Sequence, residues 1–158
     1  MGSFAGNEVR DEQILLPGAR TKNKRDHVVS LSDAAKTILE EFRVDGRTHV
    51  FGRYDTGFGG WNAGKLELAA RIAKGRKALE HWTLHDLRRT AATRMAELGV
   101  QPHIVEAVLN HVSGHKGGVA GIYNRATYDR EKREALNLWA EHVLATVGEA
   151  KVLPLKRA

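Results

Sequence analysis

The sequence predicts an α+β fold, mainly helical, with a small antiparallel sheet near the N-terminus. Three observations carry that reading. Two short apolar runs, Ile14-Leu15-Leu16 and His27-Val28-Val29-Ser30-Leu31, flank a Pro17-Gly18 break and a basic loop at 20–25, which is a hairpin pattern. From Ala35 onward, apolar residues recur three and four apart, the period of a helix with one buried face. Ser32, Thr83 and Gly99 stand where such helices need an N-cap or a left-handed stop. A length of 158 residues fits one domain, and 42% hydrophobic content is enough for a single core.

The elements follow in order. Ser32 reads as the N-cap of a helix over 33–43, in which Ala35, Ile38, Leu39 and Phe42 follow at helical spacing. Thr48-His49-Val50-Phe51 reads as a short extended segment and 57–60 as a loop. Residues 66–72 are apolar and helix-prone, with a stop before Gly75. Thr83 caps the next helix, and Asp86 three residues on makes an acidic variant of the capping box. Leu87, Ala91, Met95 and Leu98 form its expected buried stripe. Pro102 starts a short helix, where its missing N–H goes unnoticed. Ile104, Val105, Val108 and Leu109 are the apolar positions of that helix. Residues 114–121 are glycine-rich and read as a loop into a short helix at Ile122. Thr127 is the expected cap of the last helix, with Leu136, Trp139, Val143, Leu144 and Val147 on its apolar face. Met1-Gly2-Ser3 reads as a cloning remnant, and 151–158 as a frayed basic tail.

Composition narrows the chemistry. With 25 Lys+Arg against 19 Asp+Glu the net charge is +6, which favours a polyanionic partner. The absence of cysteine excludes disulfides, thiolate zinc sites, iron–sulfur clusters and a thiol nucleophile. It is compatible with a reducing compartment, and a cytoplasmic location is expected. No apolar run reaches the roughly 20 residues needed to span a bilayer. The first residues also lack the apolar core of a signal peptide. No membrane partner is expected.

Four places carry candidate chemistry. His85 and Arg88 lie three apart on the Thr83 helix and share a face. A fixed guanidinium can hold two phosphate oxygens, and an imidazole can donate to a third or shuttle a proton. Taken alone, the pair reads as a first-turn histidine and a solvated arginine. His111 ends the Pro102 helix, where a helix C-terminus favours a histidine in any case. Tyr123 follows His111 by twelve residues across the glycine-rich segment. A positioned phenolate oxygen can attack phosphorus and split one hard step into two. The other reading of Tyr123 is an aromatic core anchor. Lys22 sits in the basic loop of the hairpin, which can also be a surface that merely touches phosphates.

Taken in order, Lys22, His85-Asp86-Leu87-Arg88, Leu109-Asn110-His111 and Tyr123-Asn124-Arg125 resemble the catalytic half of a tyrosine recombinase, the phage integrase family. The resemblance covers residues 13–147. It implies the catalytic-domain fold of that family, and cleavage of one DNA strand at a time without metal or nucleotide cofactor. It implies Tyr123 as nucleophile forming a 3′-phosphotyrosine, Arg88, His85 and His111 as phosphate contacts, and Lys22 as the acid that protonates the leaving 5′ oxygen. Lys24 is the fallback for Lys22. The family's histidine element carries glycine where this chain has Asn110, and asparagine tolerates a left-handed backbone better than most residues. The gap to Tyr123 is longer than the family's usual one and resembles a branch of phage and island integrases, as does the helix carrying Trp139. Tyr128 is the competing tyrosine and reads as structural, and Tyr54 lies too far upstream.

The expected partners are double-stranded DNA at attachment sites and other integrase protomers on that DNA, with no small-molecule cofactor. The family's first arginine belongs on a helix ahead of the lysine hairpin, and the chain starts too close to Lys22 to hold it. The expectation is therefore a single domain over 1–158, an N-terminally truncated catalytic domain that is inactive alone. The alternatives are a non-catalytic DNA-binding module with a decayed site, and an unrelated helical protein with basic loops. Residues 59–65 match most of a P-loop, but Leu66 stands where a Mg²⁺-ligating hydroxyl is required. The pairs His81/His85 and His111/His115 have zinc spacing without an evident third ligand, and no metal is expected.

Overall fold

The computed structural model describes residues 6–10, 12–52, 57–111 and 126–148, with Asn7 in its backbone alone. Three strands form one antiparallel sheet in sequence order: β1 (Val9–Arg10), β2 (Gln13–Leu16) and β3 (His27–Ser30). The expected hairpin is β2–β3, with Leu16 opposite His27 and Gln13 opposite Ser30. β1 adds an edge that the apolar pattern did not reveal, because two residues are too few to alternate.

Ser32 caps α1 (Asp33–Phe42), its hydroxyl accepting the Ala35 N–H at 3.3 Å. The expected extended segment at 48–51 forms a single β-bridge residue, His49, and no full strand. It is held instead by the Thr48 carbonyl, which accepts from Gly6 N–H at 2.8 Å, and by Phe51 against Phe42 at 5.4 Å between ring centroids. α2 (Trp61–Ala73) begins five residues before the expected apolar run, counting from Leu66 to Trp61. It takes in most of the P-loop look-alike, and Lys65 Nζ donates to the Trp82 carbonyl at 2.5 Å. Leu66 on this helix stays 68% exposed.

The core lies where α3 (Leu84–Glu97), α4 (Pro102–Val108) and α5 (Asp129–Val147) meet, with β3 laid against α5. Met95, Ile104, Val105 and Ala135 are buried there, with Ala91, Ala92, Val100, Leu109, Tyr128 and Trp139 packed around them. The α3 stripe differs from expectation at both ends. Leu87, one turn before Ala91, is 57% exposed, and Leu98 turns outward in the cap that ends the helix. α5 also differs. Its N-terminal half packs, but Val143, Leu144 and Val147 are exposed. A helix of 19 residues is about 28 Å long and outruns the layer beneath it.

Tyr128, not Thr127, occupies the N-cap position of α5, with a left-handed φ of 53°. The Thr127 hydroxyl donates to the Asp129 carboxylate at 2.7 Å instead. The Tyr128 ring packs on His103 at 5.1 Å, which agrees with a structural role. The loop at 114–121, the short helix at Ile122, Tyr54, Tyr123 and the tail at 151–158 lie outside the described residues.

Candidate active site

The site is built around the C-terminal end of α4. A helix leaves its last carbonyls without intrahelical donors, and these need partners. Two are answered by the backbone. Asn110 takes a left-handed φ of 51°, its N–H bonds the Ala107 carbonyl at 3.2 Å, and the His111 N–H bonds the Glu106 carbonyl at 2.9 Å. This pair of bonds is a Schellman cap. The asparagine therefore makes the turn that a glycine would make, at the position where sequence reading required such tolerance.

Three further carbonyls are answered by side chains from three other elements. His27 Nε2 on β3 lies 3.2 Å from the Val108 carbonyl. A carbonyl only accepts, so Nε2 carries the proton. Arg88 Nη2 on α3 donates to the Leu109 carbonyl. Asn23, in the β2–β3 loop, donates through Nδ2 to the Asn110 carbonyl at 3.1 Å and to Asn110 Oδ1 at 2.8 Å. The last turn of α4 is thus tied to the sheet, to α3 and to the loop that carries Lys22.

Arg88 spends one N–H of its five-donor fork on Leu109. That bond fixes the guanidinium plane beside the His111 turn, and the side chain is exposed. His85 lies one turn earlier on the same helix and is also exposed. The start of α3 is firm, because the Asp86 carboxylate accepts the Thr83 N–H and hydroxyl, both at 2.8 Å. Those two bonds hold the Asp86 carboxyl below its ordinary range, aided by the nearby Arg89 and His85 charges.

Lys22 is exposed in a loop with its own framework. The Thr21 hydroxyl donates to the Arg25 carbonyl at 2.7 Å, and Gly18 N–H donates to Asp26 Oδ1 at 2.7 Å. Gly18 is required by close approach: a Cβ there would stand 2.6 Å from the Lys24 carbonyl oxygen. Lys24 itself has a left-handed φ of 55°.

Three residues of this arrangement went unread in the sequence. Asn23 is, by sequence, one residue of a basic loop. His27 has only the signature of a strand residue. Lys132, in a run of charges on α5, is 7% exposed, with Nζ 2.8 Å from Asp129 Oδ1 and 3.4 Å from the Val28 carbonyl. Burial, then the Lys132 ammonium, holds the His27 imidazole below its ordinary value. The Val108 carbonyl opposes that shift and the Arg88 charge adds to it.

Of the five residues assigned from sequence, Arg88, His111 and the Lys22 loop are brought to one turn, His85 shares the Arg88 helix, and Tyr123 lies outside the described residues. Among the described residues, no three His, Asp or Glu side chains converge as metal ligands would, and no helix is long and apolar enough to cross a membrane.

The sequence profile of the Phage integrase family matches residues 7–130. Prophage integrase IntA of Escherichia coli (strain K12) is 34% identical over 140 residues, which cover 87% of this chain and 33% of that protein. Prophage integrase IntZ of the same strain is 29% identical over 140 residues, covering 85% of this chain and 33% of that protein. No solved structure matches significantly. The chain therefore spans about a third of the length of these relatives. The matched residues contain the hairpin, α3, the α4 turn and Tyr123, and the chain belongs to the phage integrase family of tyrosine recombinases.

Proposed function

We propose that this chain supplies the catalytic half of a site-specific DNA recombinase. The Tyr123 oxygen attacks the scissile phosphorus, its proton passing to an imidazole of the site. The Oη–P bond forms as the P–O5′ bond breaks, leaving a 3′-phosphotyrosine. Lys22 protonates the departing 5′ oxygen. Arg88, His85 and His111 hold the non-bridging oxygens as their charge grows, which is electrostatic stabilisation of the kind an oxyanion hole gives. A 5′-hydroxyl from a second strand reverses the step on a new partner. Duplex DNA at attachment sites and further protomers on that DNA are the proposed partners.

One observation supports this reading above the rest. Arg88 and the Lys22 loop are both bonded to the turn that ends in His111. An ornamental basic surface has no need of that convergence. The test uses the protein expressed from its complete reading frame and a nicked attachment-site duplex, from which the 5′-hydroxyl strand diffuses away after cleavage. A covalent protein–DNA adduct should accumulate in excess EDTA. Tight DNA binding with no adduct would favour the alternative of a DNA-binding module with a decayed site.

A further inference from the structure

The Asn23–Asn110 contact does more than satisfy a helix end. Asn110 needs its left-handed φ of 51° to close the α4 cap, and a glycine would supply that at least as well. What asparagine adds is a side-chain amide, and among the described residues that amide meets Asn23. Asn23 Nδ2 donates to Asn110 Oδ1 at 2.8 Å, and Asn110 Nδ2 approaches Asn23 Oδ1 at 3.4 Å. The Asn23 amide is fully used. Its two N–H groups go to the Asn110 side chain and carbonyl, and its oxygen also accepts the Arg25 N–H at 3.2 Å. The pair is half-buried and joins segments 87 positions apart in sequence.

Asn23 cannot move without its neighbours. The Lys24 N–H bonds the Thr21 carbonyl at 3.2 Å, and the Thr21 hydroxyl bonds the Arg25 carbonyl at 2.7 Å. Lys22 lies inside that small framework, one residue from Asn23. His111 lies one residue from Asn110. We infer that the Asn23–Asn110 amide pair is a positioning clamp that sets the Lys22 loop against the His111 turn, so that the acid and the phosphate-binding imidazole serve one phosphate. The inference rests on the recombinase reading of Lys22 and His111. Asn23 and Asn110 are positioning residues in it, acting through Lys22.

Two measurements test it. On the chain itself, Asn110→Gly removes the amide while permitting the same turn, and Asn23→Ala removes its partner. Amide hydrogen exchange at Lys24 and Arg25 should quicken at least severalfold in Asn110→Gly, although the substitution is remote in sequence. Unchanged exchange there would overturn the clamp whether or not the protein cuts DNA. On the protein from the complete reading frame, both variants should slow adduct formation about tenfold or more, as part of the 10²–10⁴ that a positioned acid contributes. Replacing the bridging 5′ oxygen of the duplex with sulfur removes the need for a proton on the leaving group. Lys22→Ala, Asn23→Ala and Asn110→Gly should then all return to near the wild-type rate. If Lys22→Ala recovers and the two asparagine variants do not, the clamp is wrong and the acid stands. If Lys22→Ala itself fails to recover, the acid assignment falls and takes the clamp with it.

Discussion

His27 shows how one ring nitrogen couples the sheet to the candidate site. Its Nε2–H satisfies a helix-end carbonyl while burial and the Lys132 ammonium disfavour a second proton. The folded-state value is held below the ordinary 6.5, so the unfolded chain binds the proton more readily. The stability this contributes is complete above about pH 6.5 and declines as pH falls toward the lowered folded value. Asp33, Asp86 and Asp129 are also lowered, but their contribution is lost only below the ordinary carboxylate value of 3.8, outside this window. His27→Gln keeps an N–H for Val108 and removes the titration. The thermal midpoint of the wild type should fall between about pH 7.5 and 5.5, and that of His27→Gln should fall less; equal falls would contradict this account of the ring. None of it was legible in sequence. His27, Asn23 and Lys132 act on carbonyls 81, 87 and 104 positions away, and no local spacing encodes such partners.

At the scale of elements, what was legible is what local chemistry dictates. Ser32, Thr83 and Pro102 mark helix starts because each satisfies or forgoes an orphan N–H. Gly99 ends α3 with φ 89°, its N–H bonding the Ala96 carbonyl at 3.0 Å. Asn110 repeats that cap on α4. The misread faces are those that tertiary packing decides. Leu87 and Leu144 have the right period but stay exposed, at 57% and 52%. Tyr128 displaced Thr127 as cap because its ring is held on His103, a contact that fixes a left-handed backbone no propensity favours. Met95 is where the three helices meet, at 1% exposure. Met95→Ala should cost about 2–5 kcal/mol in chemical denaturation. A loss below about 1 kcal/mol would mean that the α3–α4–α5 junction is not the stabilising core.

At the scale of the molecule, the net charge of +6 and the exposed Lys22, Lys24 and Arg25 give a basic surface that suits the proposed DNA partner. Duplex affinity should fall roughly tenfold or more between about 50 and 200 mM salt, as phosphate contacts release counterions. Affinity independent of salt would contradict a phosphate-tracking surface. In the proposed function one residue, Tyr123, bears the reaction, and it lies outside the described residues. The decisive measurement is therefore the identity of the attacking oxygen. The covalent adduct formed on a nicked attachment-site duplex, digested and sequenced by mass spectrometry, should carry its nucleotide on Tyr123. Tyr123→Phe should abolish the adduct with DNA binding intact, and Tyr128→Phe should retain it. An adduct on Tyr128, or one that survives both substitutions, would contradict the account.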